Sequence, residues 1–220
     1  MNKRRKTYSV NVGGVKIGSS YPIRVQSMTN TLTEKSKETA DQIKSLYDSG
    51  SELVRITVNN EISAESVIKI KDILIKSNYN IPIIGDFHYN AHTLLSEYPE
   101  TAFILDKYRI NPGNIGSSNK HDDNFTKIIE IAIKNDKPIR IGGNWGSLSK
   151  QYLEQTIING QKSDNYEVII KKGLIDSVLK SANHAEKLGL PKNKIILSCK
   201  VSSVPQLVDV YTKIADACMY

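Results

Sequence analysis

The sequence predicts an α/β fold of the (β/α)8 TIM-barrel type, incomplete in this chain, with about six βα units. Three observations predict it. Short runs of Ile, Val and Leu alternate with amphipathic helical stretches, and none of these runs is joined to the next as a hairpin. The runs begin at residues 23, 53, 81, 108 and 138, a recurrence of 27 to 30 residues, against about 31 when eight units share about 250 residues.

In chain order the expected strands are Ile23–Gln26, Leu53–Thr57, Ile81–Asp86, Tyr108–Ile110, Pro138–Ile141 and Ile195–Lys200, each brief and aliphatic, as parallel strands buried on both faces are. A helix over Glu34–Ser49 follows from Ala40, Ile43, Leu46 and Tyr47 at helical spacing, with Thr33 as its expected N-cap and Gly50 just past its end. Glu61–Ser77 presents Ala64, Val67, Ile68, Leu74 and Ile75 on one side, and Asp123–Lys134 presents Phe125, Ile128, Ile129, Ala132 and Ile133. A longer helix over Val168–Leu188 stops at Gly189, and a last one begins near Pro205. The interval before Ile195 is 57 residues, and polar, turn-rich Ser147–Glu167 is expected to be an insertion. An open nucleotide-binding sheet is disfavoured, because Gly13-Gly14…Gly18 lacks the GxGxxG spacing and its following helix. Six strands do not close an eight-stranded barrel, so the 220 residues are expected to be the N-terminal part of one substrate-binding domain.

Composition excludes several classes. An apolar content of 39% with 24% charged residues is that of a folded globule. The net charge of +7 comes from 24 lysines and only six arginines, and the one dense basic run, Lys3–Lys6, has no aromatic interleaving for base stacking. Nucleic acid is therefore not an expected partner. No apolar run approaches the ~18–20 residues that span a bilayer, and the N-terminus lacks a secretion signal, so the expected location is cytoplasmic or a plastid stroma-like compartment. Cys199 and Cys218, nineteen residues apart, form no metal-binding spacing and are expected to be buried thiols.

In a barrel of this type the working residues lie toward the carboxyl ends of the strands. Three of the six arginines share that context: Arg55 in Leu53–Thr57, Arg109 in Tyr108–Asn111 and Arg140 in Pro138–Gly142. A guanidinium keeps its charge when desolvated and grips phosphate or carboxylate with two parallel hydrogen bonds, so three on one barrel wall point to a fixed anion. The alternative for each is a structural ion pair with a carboxylate such as Asp86. Two loops echo one another, Arg109-Ile-Asn-Pro-Gly-Asn114-Ile-Gly116 and Arg140-Ile-Gly-Gly-Asn144-Trp-Gly146, both competent to offer backbone and amide donors to phosphate oxygens. Asp86 and His88, two residues apart at a strand end, fall on one side and form the candidate catalytic pair, as a substrate-orienting or proton-handling couple or a structural one, ahead of a metal pair, which lacks a nearby third ligand. Lys200 would add an ammonium to the same mouth, and Gln26–Asn30 uncharged partners. His92, His121 and His184 are read as surface or core residues.

The segments Val25–Thr31, Leu53–Thr57, Pro82–His88, Arg109–Gly116, Pro138–Leu148 and Ser198–Ser202, in this order, resemble the 4-hydroxy-3-methylbut-2-enyl diphosphate synthase family of the methylerythritol phosphate route to isoprenoids. The resemblance runs from about residue 7 to the end. It implies reductive ring opening and dehydration of 2-C-methyl-D-erythritol 2,4-cyclodiphosphate, with electrons passed singly through a 4Fe-4S cluster from ferredoxin or flavodoxin. Carried over by motif, Arg55, Arg109, Arg140, Asn144 and Lys200 form the diphosphate clamp, with Asp86 and His88 deeper in the pocket. The family's cluster ligands lie in a C-terminal domain, and its active site closes across a homodimer. Neither cysteine of this chain is thus an expected ligand, no metal site is expected in this chain, and the chain alone is expected to be inactive. Two departures stand out: Gly143 replaces a larger apolar residue, and Cys199 interrupts an aliphatic stretch. The rival readings are a pterin-binding or phosphosugar barrel enzyme without redox chemistry, and a basic binding module.

Overall fold

The computed structural model describes residues 4–114, 119–147 and 166–220. The chain enters through an antiparallel hairpin, β1 (Val10–Val12) and β2 (Val15–Ile17), joined by Gly13 and Gly14 at φ of 54° and 96°. This corrects the expectation of an alternation without hairpins. Only glycine takes two successive positive-φ positions at little cost, and strands of three residues are too short to show a period.

The barrel strands and helices follow: β3 (Gln26–Met28), α1 (Ser36–Asp48), β4 (Leu53–Val58), α2 (Glu61–Lys76), β5 (Ile83–Phe87), α3 (Ala91–Glu97), α4 (Pro99–Ile104), β6 (Lys107–Ile110), α5 (Asn119–Lys134), β7 (Ile139–Asn144), α6 (Tyr166–Lys187), β8 (Ile195–Lys200) and α7 (Val204–Ala217). Strands β3 to β8 are all parallel and pair in chain order, giving a curled, open barrel of six strands with helices outside. The expected architecture stands, and the last strand has the expected bounds.

Two local expectations are corrected. The first barrel strand starts at Gln26 rather than Ile23, because the Val25 N–H donates to the Glu52 carboxylate at 3.0 Å instead of to a ladder. Thr33 does not cap α1: the helix starts at Ser36, Lys35 stands at its N-cap, and the buried Thr33 hydroxyl has no partner. Between β5 and β6 lie two helices of seven and six residues, broken at Tyr98 before Pro99, each too short for a helical period to register. By contrast α2 begins with a reciprocal capping box, Asn60 accepting from the Ser63 N–H and Ser63 from the Asn60 N–H. The expected insertion Ser147–Glu167 lies outside the described residues except at its ends, which belong to a 3-10 turn over Trp145–Ser147 and to the first turn of α6.

Strand alternation separates two apolar layers. The outward side chains, among them Val54, Ile56, Phe87, Tyr108 and Ile141, pack with Val67, Leu74, Phe125, Ile128 and Leu174 of the helices. Inward-facing Leu53 and Ile84 pack instead on Val10 and Val12, so the hairpin fills the amino end of the barrel. Two residues further along these strands the inward positions are Arg55 and Asp86. Apolar floor therefore gives way to charge within one step of the pleat.

Candidate functional site

The ladder register brings Asp86, Arg109 and Arg140 side by side on β5, β6 and β7, while Arg55 on β4 stands one step nearer the floor, opposite Ile84. The Arg109 Nη1 donates to Asp86 Oδ1 at 2.9 Å, and Arg55 Nε lies 3.5 Å from Asp86 Oδ2. Arg55 also turns its Nη2 and Nε onto the Met28 sulfur, at 2.9 and 3.2 Å, a weak acceptor. Arg140 donates from Nε to the Ser198 hydroxyl at 2.9 Å. Burial, and then the neighbouring guanidinium of Arg55, press the pKa of Arg140 below its ordinary value.

The expected convergence of three arginines is thus present, and so is part of the structural alternative. Asp86, only 3% exposed, serves two guanidinium groups. Among the described residues no ion pair places a second carboxylate on this wall, and the structure adds a further cation that sequence reasoning missed. Lys107 opens β6, faces inward two residues before Arg109, is 2% exposed, and reaches Gln26 Oε1 at 3.4 Å. The signal was available in the alternation Lys107-Tyr108-Arg109, but the expected strand began at Tyr108 and left the lysine in the preceding loop.

Gly142 makes room for this arrangement. It faces inward between Arg109 and Ser198, and a Cβ there would stand 3.1 Å from Arg109 Nε and 3.2 Å from Ser198 Oγ. Gly142→Val is expected to push Arg109 off Asp86 and to lower stability by about 1–3 kcal/mol through overpacking, read as a lower melting temperature. Gly143, the first departure from the family pattern, faces outward. A Cβ there would meet Leu174 and Val178 at 2.8 and 2.9 Å, so the glycine lets α6 lie close on β7.

Asn144 and Lys200 pair in register at the carboxyl rim, the first half-buried and the second exposed. The two echoing loops share one local turn. Asn111 Oδ1 accepts the Gly113 N–H at 3.1 Å, and Asn144 Oδ1 accepts the Gly146 N–H at 3.3 Å, each opening a 3-10 turn. Asn144 is therefore the counterpart of Asn111 rather than of Asn114, and the repeated unit is an Asx turn of the form Asn-x-Gly. Gly116 lies outside the described residues. His88 follows the end of β5, half-buried. Of the uncharged residues expected at the mouth, Gln26 lies one pleat step below Arg55 as the partner of Lys107, and Met28 stands level with Arg55 as its partner.

Away from this wall, the His184 ring packs 5.5 Å from Phe125, and His92 is half-buried on α3, its pKa lowered by burial and then by Lys127. The His121 side chain lies outside the described residues. Cys199, the second departure, faces the helices in the core, and burial pushes its thiol up to about 12. Cys218 ends α7 and donates its thiol to the Ile214 carbonyl. Among the described residues no three or more His, Cys, Asp or Glu side chains group to hold a metal ion. These two thiols, separately placed and one sealed in the core, do not fit an iron–sulfur cluster. No described helix is long and apolar enough to cross a membrane.

Fold and wall together define the class, an α/β-barrel domain of the TIM type whose interior is lined with cations. The chain belongs to the GcpE family: the model of the GcpE TIM-barrel domain matches residues 7–220. Solved structures share the fold at low identity. A Plasmodium falciparum HPPK-DHPS with pterin and p-hydroxybenzoate has a TM-score of 0.63 at 12% identity, covering 94% of this chain and 36% of that one. Xanthomonas albilineans dihydropteroate synthase gives 0.59 at 10% identity, over 94% and 72%. A Thermotoga maritima phospho-2-dehydro-3-deoxyheptonate aldolase gives 0.53 at 15% identity, over 87% of this chain and 45% of that one. This chain thus spans under half the length of two of these three proteins, and the likeness is one of fold alone.

Proposed function

We propose that this chain is the substrate-binding barrel of an iron–sulfur oxidoreductase that reductively opens and dehydrates 2-C-methyl-D-erythritol 2,4-cyclodiphosphate to 4-hydroxy-3-methylbut-2-enyl diphosphate. The observation that carries this reading, beside membership of the family, is the charge imbalance of the inner wall. Arg55 and Arg109 share one carboxylate, while Arg140 rests on a hydroxyl and Lys107 on an amide. A small dianion placed among them would complete a set of charges that is expensive to hold unpaired.

Arg109 and Arg140, neighbours in register, would hold the two phosphoryl groups, with Arg55 below them and Lys200 and Asn144 closing from the rim. When the ring opens, a carbon–oxygen bond breaks and its electron pair stays on a phosphoryl oxygen. Fixed guanidinium groups stabilise that developing charge without having to reorganise. Asp86 acts as a positioning residue for Arg55 and Arg109, since both of its oxygens face them. His88, just above it, is the residue proposed to move the proton that accompanies loss of hydroxide as water.

A 4Fe-4S cluster supplies the electrons singly in chemistry of this kind, and ferredoxin or flavodoxin would reduce it. Its ligands are proposed to lie outside the described residues, in a full-length homodimer, and the two thiols of this chain take no part. Calorimetric titration distinguishes the reading from a pterin or phosphosugar barrel. The cyclodiphosphate and inorganic pyrophosphate are expected to bind, and a pterin or a sugar monophosphate to bind at least tenfold more weakly. Preference for a pterin would overturn the reading.

A further inference from the structure

Lys107 has no part in the clamp carried over from the family, yet it is the most deeply buried cationic group of the inner wall. With Arg140 and Ser198 it lines a cavity of about 770 Å³ that runs from the wall toward the hairpin. We propose that Lys107 is a further cation of the anion site and that it takes up a proton when the anion binds, which links binding to pH. This rests on the reading of the barrel as a diphosphate site.

The surroundings of the amine carry the argument. From β4 it faces the Arg55 guanidinium, and from β7 that of Arg140. Arg109 stands two residues ahead on its own strand. On β5 the Asp86 carboxylate is engaged by Arg55 and Arg109. The other titratable groups on the same cavity are Arg4, Arg5 and Tyr8 of the segment before the hairpin, Arg24 before β3, which is held by Glu52, Tyr211 of α7, and Tyr220. Lys107 thus sits among cations with a neutral amide as its hydrogen-bond partner. Burial first, then Arg140 and Arg55, lower its pKa to about 7. A multiply charged anion beside these arginines reverses the local field and draws the proton back. An arginine here would repel its neighbours permanently, whereas a lysine lets the empty barrel shed one charge and recover it with the ligand.

The test is calorimetric titration of the full chain with inorganic pyrophosphate at pH 8, in two buffers of different protonation enthalpy, for wild type and Lys107→Met. A group titrating near neutrality is mostly unprotonated at pH 8, so the wild type is expected to take up about one proton more per pyrophosphate than the variant. Its affinity should also fall more steeply with rising pH. Equal proton counts, with pyrophosphate still bound and still dependent on Arg109, would overturn the role of Lys107 and leave the diphosphate reading intact. Absence of pyrophosphate binding by the wild type would overturn both.

Folding of the variant is checked by its own pH dependence. The lowered pKa means that the folded wild type binds fewer protons than the unfolded chain between about pH 7 and 10, so its stability rises with pH across that window. Lys107→Met is therefore expected to melt above the wild type at pH 6 and to lose the advantage by pH 10. Should the variant not fold, lysine-specific 15N NMR of the wild type reads the same property. The Lys107 titration is expected to move upward by at least one pH unit with pyrophosphate, and an unmoved titration would overturn the proposal.

Discussion

Arg109→Ala and Arg140→Ala are each expected to lower the affinity for inorganic pyrophosphate by at least about thirtyfold, the ~2 kcal/mol or more that removing one partner of a desolvated charge contact takes away. The two should not be equal. Arg140 is held by the Ser198 hydroxyl, so its removal takes away one cation and leaves a neutral group behind. Arg109 covers an oxygen of Asp86, so its removal also turns a carboxylate toward the incoming anion. Arg109→Ala should therefore be the more damaging, and adding Asp86→Asn to it should recover part of the loss. Calorimetry on the two single variants and the double variant checks this order. Unchanged affinity in both single variants would reject the clamp.

The second large effect is on stability. Asp86→Asn leaves the shape of the side chain and removes the charge that, among the described residues, offsets Arg55 and Arg109, whose guanidinium groups are mostly buried. Losing one partner of a buried ion pair takes about 3–5 kcal/mol from the fold. The variant should melt well below the wild type, and saturating pyrophosphate should raise it much of the way to the ligand-free wild type, since a ligand at a hundred times its Kd adds about 2.7 kcal/mol. Thermal unfolding with and without pyrophosphate measures both effects. A variant that melts with the wild type would show that Asp86 does not balance the wall.

The parts of the fold that the sequence foretold are those whose side chains repeat often enough to reveal a period. α2 and α5 are sixteen residues each and carry their apolar face through four turns, and β8 runs six residues between clear breaks. The hairpin over Val10–Ile17 and the pair α3 and α4 are made of pieces of three, seven and six residues, held by tertiary contacts that no local pattern encodes. β3 failed at its boundary for a different reason. Its apolar lead-in, Ile23 and Val25, is largely exposed, and a side chain from β4's lead-in, Glu52, takes the backbone hydrogen bond that a strand would have used.

The candidate site was legible through its arginines because six in thirty basic residues make each one informative. What composition could not disclose was the partition of charge among them. Asp86 stands 23 residues from Arg109 and 31 from Arg55 in sequence, and only the parallel register places its two oxygens between them. The same register turns Lys107 inward. Lysine is the common basic residue of this chain, so nothing in its identity separates Lys107 from the solvated others. Gly142 and Gly143 illustrate the same limit. Adjacent and chemically identical, they serve opposite faces of β7, one admitting Arg109 and the other α6.

In the proposed site, guanidinium groups from β4, β6 and β7 meet on one diphosphate group. A crystal structure of the protein with inorganic pyrophosphate tests it most directly. Phosphoryl density is expected between Arg109 and Arg140, within hydrogen-bond distance of both, with Lys107 beneath it. Pyrophosphate bound elsewhere, in contact with neither Arg109 nor Arg140, would contradict it.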